Sequence, residues 1–543
     1  MNRRDIVKNL TALPLAGGLF PLSGFAHSTS SDDAFLSLLK DPVASTNIYQ
    51  SIGVDPIINC RGTFTIIGGS VERPEVVAAM KAASGFFVQY DELAFAVGKK
   101  LADITGAKWG LVTSGCAAGL KHVTAACVTG GNPEKLIRIP DLKGFEKNEV
   151  IIPAYSRNVY DHAIRNIGVT VITVETVDDL KQAINSRTAL IYIMAGDESE
   201  PGQPLSTEVI ARIAKGNNIP VLVDAAAEIL TIPNAHLAQG ATVVAYSGGK
   251  AICGPQCAGL LLGDKDLLMS AWQASSPHHG PGRDNKVGKE EMMGMLAAVE
   301  AWTKRDHPAE WKTWLGYLDL IAKQVIKVEG VKTSVHEPTA LSNRSPSLSI
   351  TWDPDKLNIT GDEVAEIFAR TKPRIAVGSS NTETETSIHV TSGQMQPGND
   401  KIVAERIVAL LSEKRNPRTI GLKAATVDLG GHWDVEMHFF SSQSVHKFYL
   451  EQDGNWLQGT HDSDFAIQEI VGMVEGDQVK FRSRFSTPGD GITYMFSGTV
   501  KDNAISGSVY MGEYITATFN AKKTTYKGTR KRIVIPGGPP LAT

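Results

Sequence analysis

The sequence has few cysteines, no long uninterrupted apolar run beyond its first residues, and no basic block comparable to a nucleic-acid-binding arm. Its five cysteines are an odd number without regular spacing, which argues against a disulfide framework. Cys253 and Cys257 lie four residues apart, but no pair of His or Cys residues lies nearby to complete a zinc site, so no metal is expected. The formal net charge of −4 without a basic block gives no reason to expect a nucleic-acid partner.

The first 26 residues have the pattern of an export signal. Arg3 and Arg4 precede an apolar stretch from Leu10 to Phe25, and Ala26 offers a small residue for cleavage. Prolines and glycines interrupt the stretch, so it would make a poor membrane-spanning helix. We predict that residues 1–26 are a twin-arginine-like signal peptide and that the mature protein is periplasmic or exported, with the cytoplasm as the alternative. No membrane span is expected after its removal.

Residues 27–330 are predicted to form a large α/β domain with an N-terminal segment. From about Ser51 to Leu268, short apolar runs alternate with stretches of helical periodicity. Strands that alternate with helices favour a mostly parallel sheet with helices on both faces. The candidate strands are Gly110–Thr113, Glu149–Ile152, Val169–Val174, Ala189–Met194, Val221–Val223, Val243–Tyr246 and Gly259–Leu262.

Two further domains are predicted after the large one. Residues 331–415 read as a small α+β domain, since helical and strand-like stretches are mixed there. Residues 426–531 are strand-like throughout, with turn signals such as Asp453-Gly454 and Pro488-Gly489 at short intervals. Seven or eight short antiparallel strands of this kind indicate an all-β barrel or sandwich.

Two short segments that end predicted strands carry residues suited to binding a cofactor. Thr113, Ser114 and Gly115 follow a strand and open a helix, where small residues let backbone amides approach a phosphate. Many strand-to-helix turns look like this, so the segment alone is weak evidence. Asp224 ends the apolar strand Val221–Val223, where its carboxylate would face a ligand. Taken alone, Asp224 would be explained more simply as a helix cap.

A third segment makes the combination specific. Lys250 follows the strand Val243–Tyr246 in a loop of small residues, 26 residues after Asp224. A lysine at such a position can react with an aldehyde, and Ser247 can donate its hydroxyl to a phosphate. An acid beside a pyridinium nitrogen, a nucleophilic lysine and a phosphate-binding turn are the parts of a pyridoxal 5′-phosphate (PLP) site. We therefore predict PLP as the cofactor, with Lys250 and Asp224 as catalytic residues.

With these motifs, the segment Ser51–Leu411 resembles the selenocysteine-synthase-like branch of the fold-type-I PLP-dependent enzymes. That branch includes L-seryl-tRNA selenium transferase and proteins similar to D-glucosaminate-6-phosphate ammonia lyase. The resemblance rests on the stretches Ile58–Thr63, Leu101–Leu120, Tyr246–Lys250, Gly254–Gly259, Gly282–Glu291 and Gln396–Gly398.

The resemblance implies several roles for individual residues. Thr113, Ser114, Gly115 and Ser247 would surround the cofactor phosphate, and Asp224 would hold the ring nitrogen. A homodimer or higher homo-oligomer is implied, with sites at subunit interfaces.

Two more cofactor residues follow from the same resemblance. Arg283 would reach the phosphate of a neighbouring subunit. Related lyase-like proteins tend to have His where this chain has Ala154-Tyr155-Ser156-Arg157, so Tyr155 is expected to cover the ring face.

The predicted function is that of a PLP-dependent lyase acting on a small amino acid or amino-sugar acid, by α-proton abstraction and β-elimination. Arg374, in the small domain, and Arg61 are candidates to bind the substrate carboxylate in a bidentate manner. Three alternatives stay open: a selenium-transferase-like β-replacement, a racemase or aminotransferase on the same scaffold, and a cofactor-free binding protein on a degenerate PLP fold.

Overall fold

The computed structural model describes residues 47–382, 384–417 and 422–525. The chain divides into two compact units, residues 1–56 and 57–543. In the described part of the first unit, a turn of 3-10 helix spans Gln50–Ile52. The predicted signal peptide, residues 1–26, lies outside the described residues, as does the end of the predicted C-terminal domain after residue 525.

A seven-stranded sheet forms the centre of the large domain. The strands of this region are β1 (Ile57–Asn59), β2 (Trp109–Thr113), β3 (Glu149–Pro153), β4 (Thr170–Val174), β5 (Thr188–Met194), β6 (Val221–Asp224), β7 (Val243–Ser247) and β8 (Gly259–Gly263). The sheet has the order β2-β8-β7-β6-β5-β3-β4, and only β8 runs antiparallel to its neighbours. All seven predicted strands are present, and the predicted fold class is confirmed.

Helices pack on this sheet and extend from it. They are α1 (Pro74–Ser84), α2 (Tyr90–Thr105), α3 (Gly115–Thr129), α4 (Pro133–Leu136), α5 (His162–Arg165), α6 (Val177–Ala183), α7 (Thr207–Lys215), α8 (Ala235–Ala238), α9 (Lys265–Gln273), α10 (Lys289–Lys304) and α11 (His307–Val325). Helix α11 begins at His307, where Asp306 Oδ1 accepts a hydrogen bond from the Ala309 amide and caps the helix. Helix α3 is buried along most of its length, which explains its small residues.

The small domain contains a four-stranded antiparallel sheet and three helices in its described part. Its elements are β9 (Lys332–His336), β10 (Ser347–Trp352), α12 (Pro354–Leu357), α13 (Gly361–Arg370), β11 (Arg374–Ala376), β12 (Gly378–Asn381), β13 (Thr386–Thr391) and α14 (Asn399–Leu411). The sheet order is β12-β13-β10-β9. Strand β11 pairs instead with β1 in parallel, so the segment that carries Arg61 is attached to this domain.

Eight antiparallel strands close into a barrel at the C-terminal end. They are β14 (Gly431–His438), β15 (Gln443–Asp453), β16 (Trp456–Asp462), β17 (Ile467–Glu475), β18 (Gln478–Thr487), β19 (Asp490–Lys501), β20 (Ala504–Met511) and β21 (Tyr514–Thr524). Along β14, Trp433, Val435 and Met437 are buried while Asp434 and Glu436 are exposed. This alternation is typical of a strand with one face in a core, and closure leaves the sheet without an open edge.

Each of the three regions has its own apolar core. One core surrounds the seven-stranded sheet, a second lies beneath the small domain's sheet, and a third fills the barrel with Phe448, Phe481, Phe496 and Phe519. All five cysteines are free. In the part of the chain that the structure describes, no helix is both long and apolar enough to cross a membrane.

Candidate active site

The carboxyl ends of β2, β6 and β7 bring the three predicted segments to one edge of the central sheet. Because β8 is antiparallel to both β2 and β7, those two strands run parallel to each other and to β6. Gly259, the first residue of β8, pairs with Thr113 on one side and with Ser247 on the other. Asp224 is the last residue of β6. The segments therefore meet where open α/β sheets bind their ligands.

The N-terminus of α3 is shaped to receive an anion. Ser114 precedes the helix, and no side chain in the described part of the chain caps its first amides. Gly115 has a φ of +80°, and a Cβ on Gly259 would lie 2.4 Å from the Gly115 carbonyl carbon. Glycine is therefore needed at both positions, for conformation at the first and for close approach at the second. Thr113 Oγ1 donates to the Gly115 carbonyl at 2.8 Å and fixes a turn whose free amides suit a phosphate.

Asp224 is buried, and donors surround its carboxylate. The Tyr192 hydroxyl donates to Oδ2 at 3.0 Å, while the Ala226 amide and the Cys116 thiol donate to Oδ1 at 3.1 and 3.6 Å. Burial raises the pKa of Asp224, whereas the Ala226 amide, the Tyr192 hydroxyl and the positive charge of Lys250 act to lower it. A carboxylate held in this way is suited to pair with a protonated ring nitrogen.

Two members of the hydrogen-bond network around Asp224, Tyr192 and Asn158, were not predicted from the sequence. Burial and the neighbouring Asp224 raise the pKa of Tyr192, so its hydroxyl stays protonated and donates. Asn158 Nδ2 in turn donates to the Tyr192 oxygen at 3.3 Å. The available signal was that Tyr192 is the one hydroxyl-bearing residue of the apolar strand Ala189–Met194.

Lys250 lies half-buried in the wall of a cavity of about 1690 Å³. It follows β7 by three residues, in a loop held by a hydrogen bond from the Gly248 amide to the Ala258 carbonyl at 2.8 Å. Other lining residues, from both the large and the small domain, are Arg61, Tyr160, Trp302, Arg305, Trp311, Trp314, Tyr317, Arg344 and Gln394. Lys250 is thus open to the cavity while its charge acts on the buried Asp224.

The remaining predicted site residues do not all lie in this cavity. Arg61 lines the cavity with Lys250, whereas Tyr155, Arg283 and Arg374, like Asp224 and the Thr113–Gly115 turn, are not among the lining residues. The Tyr155 hydroxyl donates to the Leu205 carbonyl at 2.7 Å, and exposed Arg283 donates to Ser276 Oγ at 2.9 Å.

Arg374, the second candidate for binding the substrate carboxylate, makes a contact within the small domain. Its Nε donates to the Ala369 carbonyl at 2.6 Å, which holds the side chain against the end of α13. Since this hydrogen bond involves Nε alone, the carboxylate-binding role of Arg374 stays a prediction. Arg61 is the predicted arginine that the fold brings to the cavity.

These residues fit PLP. The uncapped helix N-terminus suits its phosphate, buried Asp224 suits its ring nitrogen, and Lys250 suits its aldehyde. Within the described ranges, no group of three or more His, Cys, Asp or Glu side chains is placed to hold a metal ion.

Comparison with known proteins identifies relatives of this chain. The aminotransferase class-V family matches residues 98–285. D-glucosaminate-6-phosphate ammonia lyase of Salmonella typhimurium is 30% identical over 303 residues, which cover 54% of this chain and 79% of that protein. A 5′-C-glycyluridine monooxygenase-decarboxylase of a Streptomyces species is 29% identical over 294 residues, covering 52% of this chain and 72% of the relative.

The solved structure of D-glucosaminate-6-phosphate ammonia-lyase superimposes with a TM-score of 0.61 at 25% identity, and the match covers 68% of this chain and 99% of that one. The resemblance seen in the sequence is thereby confirmed, and so are PLP as the cofactor and the assignment as an enzyme. The chain belongs to the selenocysteine-synthase-like family of PLP-dependent enzymes that includes D-glucosaminate-6-phosphate ammonia lyase.

Proposed function

We propose that the protein is a lyase that removes the α-proton of a small amino acid or amino-sugar acid and eliminates its β-substituent. The placement of Lys250 in the cavity wall, with its charge acting on buried Asp224, carries the proposal. When bound, PLP supplies an electron sink for bond cleavage at the substrate Cα. Lys250 Nζ removes the α-proton, and the Asp224 carboxylate keeps a proton on the ring nitrogen.

The cavity suits a substrate that is larger than serine and carries an anionic group. Its volume of about 1690 Å³ is larger than that of an ordinary small-molecule pocket. Aromatic side chains such as Trp302 and Trp314 provide flat walls for a sugar-like chain. Arg61 and Arg344 line it, and no carboxylate among the described residues forms an ion pair with either. An amino-sugar acid would meet both features.

Arg61 is proposed as the group that binds the substrate carboxylate. Asn59 Oδ1 accepts hydrogen bonds from the amides of Arg61 and Gly62, both at 3.0 Å, and so fixes the turn that presents the side chain. The guanidinium lies 4.6 Å from the centroid of the Phe64 ring. Stacking of this kind orients the group while leaving N–H donors for a carboxylate.

Replacing Arg61 with alanine should lower kcat/KM by about 10- to 100-fold, mainly through KM, since a charge-assisted hydrogen bond to the substrate is lost. Steady-state kinetics with the substrate found by screening measure this. Arg374→Ala serves as the comparison. A raised KM in Arg374→Ala together with a normal KM in Arg61→Ala would move the carboxylate site to the small domain.

A screen of both enantiomers of amino acids and of amino-sugar acids tests the reaction type. A lyase releases ammonia and a keto acid without a second substrate. An aminotransferase needs a keto-acid acceptor, a racemase yields only the other enantiomer, and β-replacement requires an added nucleophile. Each of those three results would refute the lyase proposal, as would oxygen-dependent loss of CO₂.

We also propose a homodimer or higher homo-oligomer. Phe86 and Phe87, which connect α1 to α2, are 71% and 102% exposed, and a large exposed aromatic pair is typical of an interface. Exposed Arg283 would contact the partner's cofactor phosphate in such an assembly. Light scattering of the purified protein tests this, and a monomeric molar mass would contradict it.

Export is the third part of the proposal, and it rests on Arg3-Arg4 and the interrupted apolar stretch that follows. A twin-arginine route carries folded proteins, so PLP would be inserted before crossing. Outside the cytoplasm, unphosphorylated amino acids and amino-sugar acids are the substrates within reach. Arg3→Lys combined with Arg4→Lys should retain the holoenzyme in the cytoplasm, as fractionation would show. Native protein found only in the cytoplasm, with residues 1–26 intact, would contradict this proposal.

A further inference from the structure

A turn of the C-terminal barrel touches the large domain beside the cofactor site. Pro488 and Gly489 connect β18 to β19, and Arg157 Nη2 donates to the Pro488 carbonyl at 3.0 Å. Gly489 has a φ of +83°, and a Cβ there would lie 3.0 Å from the Asn158 amide nitrogen and 3.1 Å from Asp161 Oδ2. The backbone of the turn therefore lies close to the backbone of Asn158, and a side chain at position 489 would displace a neighbouring group.

The large-domain side of this contact is held firmly. The Asp161 carboxylate is fully buried and accepts hydrogen bonds from Arg157 Nε at 2.6 Å and Arg165 Nε at 2.7 Å. Asn158 Oδ1 accepts from the Tyr160 amide at 2.7 Å. A buried ion pair with this geometry resists rearrangement, so it holds residues 157–161 in place. The Pro488–Gly489 turn contacts this segment.

The same segment connects directly to Asp224. Asn158 Nδ2 donates to the Ser156 carbonyl at 2.6 Å and to the Tyr192 oxygen at 3.3 Å. Tyr192 is fully buried and donates to Asp224 Oδ2 at 3.0 Å. A continuous path of contacts therefore runs from Gly489 through Asn158 and Tyr192 to the carboxylate that is proposed to hold the ring nitrogen.

We infer that the Pro488–Gly489 turn is a positioning element of the cofactor site, and that the barrel thereby contributes to the activity of this enzyme. The turn keeps Asn158 where its amide orients Tyr192, and Tyr192 in turn orients Asp224. The inference rests on the proposed role of Asp224, and it gives the C-terminal domain a function that is independent of any ligand of its own.

Gly489→Leu tests this inference in the full-length holoenzyme. The side chain would displace the Asn158 backbone, so the PLP dissociation constant should rise about tenfold, as expected when a hydrogen bond to a charged group is weakened. The absorption band of the bound cofactor should shift as well. Gly512→Leu is the matched control. Gly512 has a φ of +68° in the β20–β21 turn, and no described atom lies within 4 Å of the place that a Cβ would take there.

Asn158→Ala should reproduce both changes with the barrel unaltered, while Gly512→Leu should bind PLP as the wild type does. If Gly489→Leu does not fold, the milder pair Gly489→Ala and Gly512→Ala carries the test. Wild-type affinity and spectrum in the Gly489 variant would overturn the inference. Asp224→Asn separates the two claims: if its spectrum is also that of the wild type, the proposed role of Asp224 fails, and otherwise only the coupling to the barrel does.

Discussion

Lys250→Ala should abolish turnover, with a loss of more than about 10⁴-fold in kcat. The variant lacks both the amine that reacts with the cofactor aldehyde and the base that removes the α-proton, and these contributions are each large. The phosphate-binding turn at Gly115 and the buried Asp224 remain, so PLP should still bind without a covalent bond. Steady-state kinetics and the absorption band near the visible edge measure the two effects separately.

Lys250→Arg is the matched variant for this prediction. It keeps a positive charge close to Asp224, which acts to lower the pKa of that carboxyl. It should nevertheless be inactive, because a guanidinium neither attacks an aldehyde nor accepts a proton at ordinary pH. A Lys250→Ala protein that kept both its absorption band and its turnover would remove Lys250 from the mechanism.

Most strands of the central sheet could be predicted because burial on both faces makes them short apolar runs. Val221–Val223 and Val243–Tyr246 are such runs, and each is followed directly by a polar residue, Asp224 or Ser247. The direction of β8 could not be read in this way. Gly259–Leu262 looks like its neighbours in sequence, and its antiparallel direction depends on the connection from β7 rather than on local pattern.

In the candidate site too, local sequence pattern indicates some residues, while others are recognised only from the tertiary structure. Lys250 and Asp224 could be predicted as site residues because each ends or closely follows a strand, where parallel topology assembles a site. Tyr192 lies inside a strand, and its apolar neighbours make it look like an ordinary core residue. Its role becomes visible only when β5 is placed beside β6, which brings its hydroxyl within 3.0 Å of Asp224.

Arg374 and Gly489 both make contacts that could not be predicted from the sequence. Arg374 is a candidate carboxylate ligand by residue type, but its sequence position did not indicate the hydrogen bond from its Nε to the Ala369 carbonyl. Pro488-Gly489 predicted a turn correctly, since glycine takes up positive φ there. Nothing in the sequence indicated that this turn would meet Asn158, because the two are brought together only by tertiary packing.

Asp224→Ala should lower kcat by about 10³-fold, because a neutral pyridine stabilises a carbanion much less than a pyridinium does. Asp224→Asn keeps the shape of the side chain and should lose nearly as much, since an amide does not hold the proton on the nitrogen. Tyr192→Phe removes the hydroxyl that donates to Oδ2 and accepts from Asn158 Nδ2, and a loss of about tenfold in kcat is expected. Kinetics of the three variants rank the contributions of charge and orientation.

The stability of the PLP-free protein should change in the opposite direction from activity. Burial raises the pKa of Asp224, so its ionised form is disfavoured by folding, and the stability linked to its protonated form is lost as pH rises through the folded-state pKa. At neutral pH, Asp224→Asn should therefore unfold at the same temperature as the wild-type apoprotein or at a higher one. Calorimetry of the apoproteins tests this expectation. A lower unfolding temperature of Asp224→Asn would show that the Asp224 carboxylate stabilises the fold. For the activity prediction, wild-type turnover in Asp224→Ala would show that another group holds the ring nitrogen.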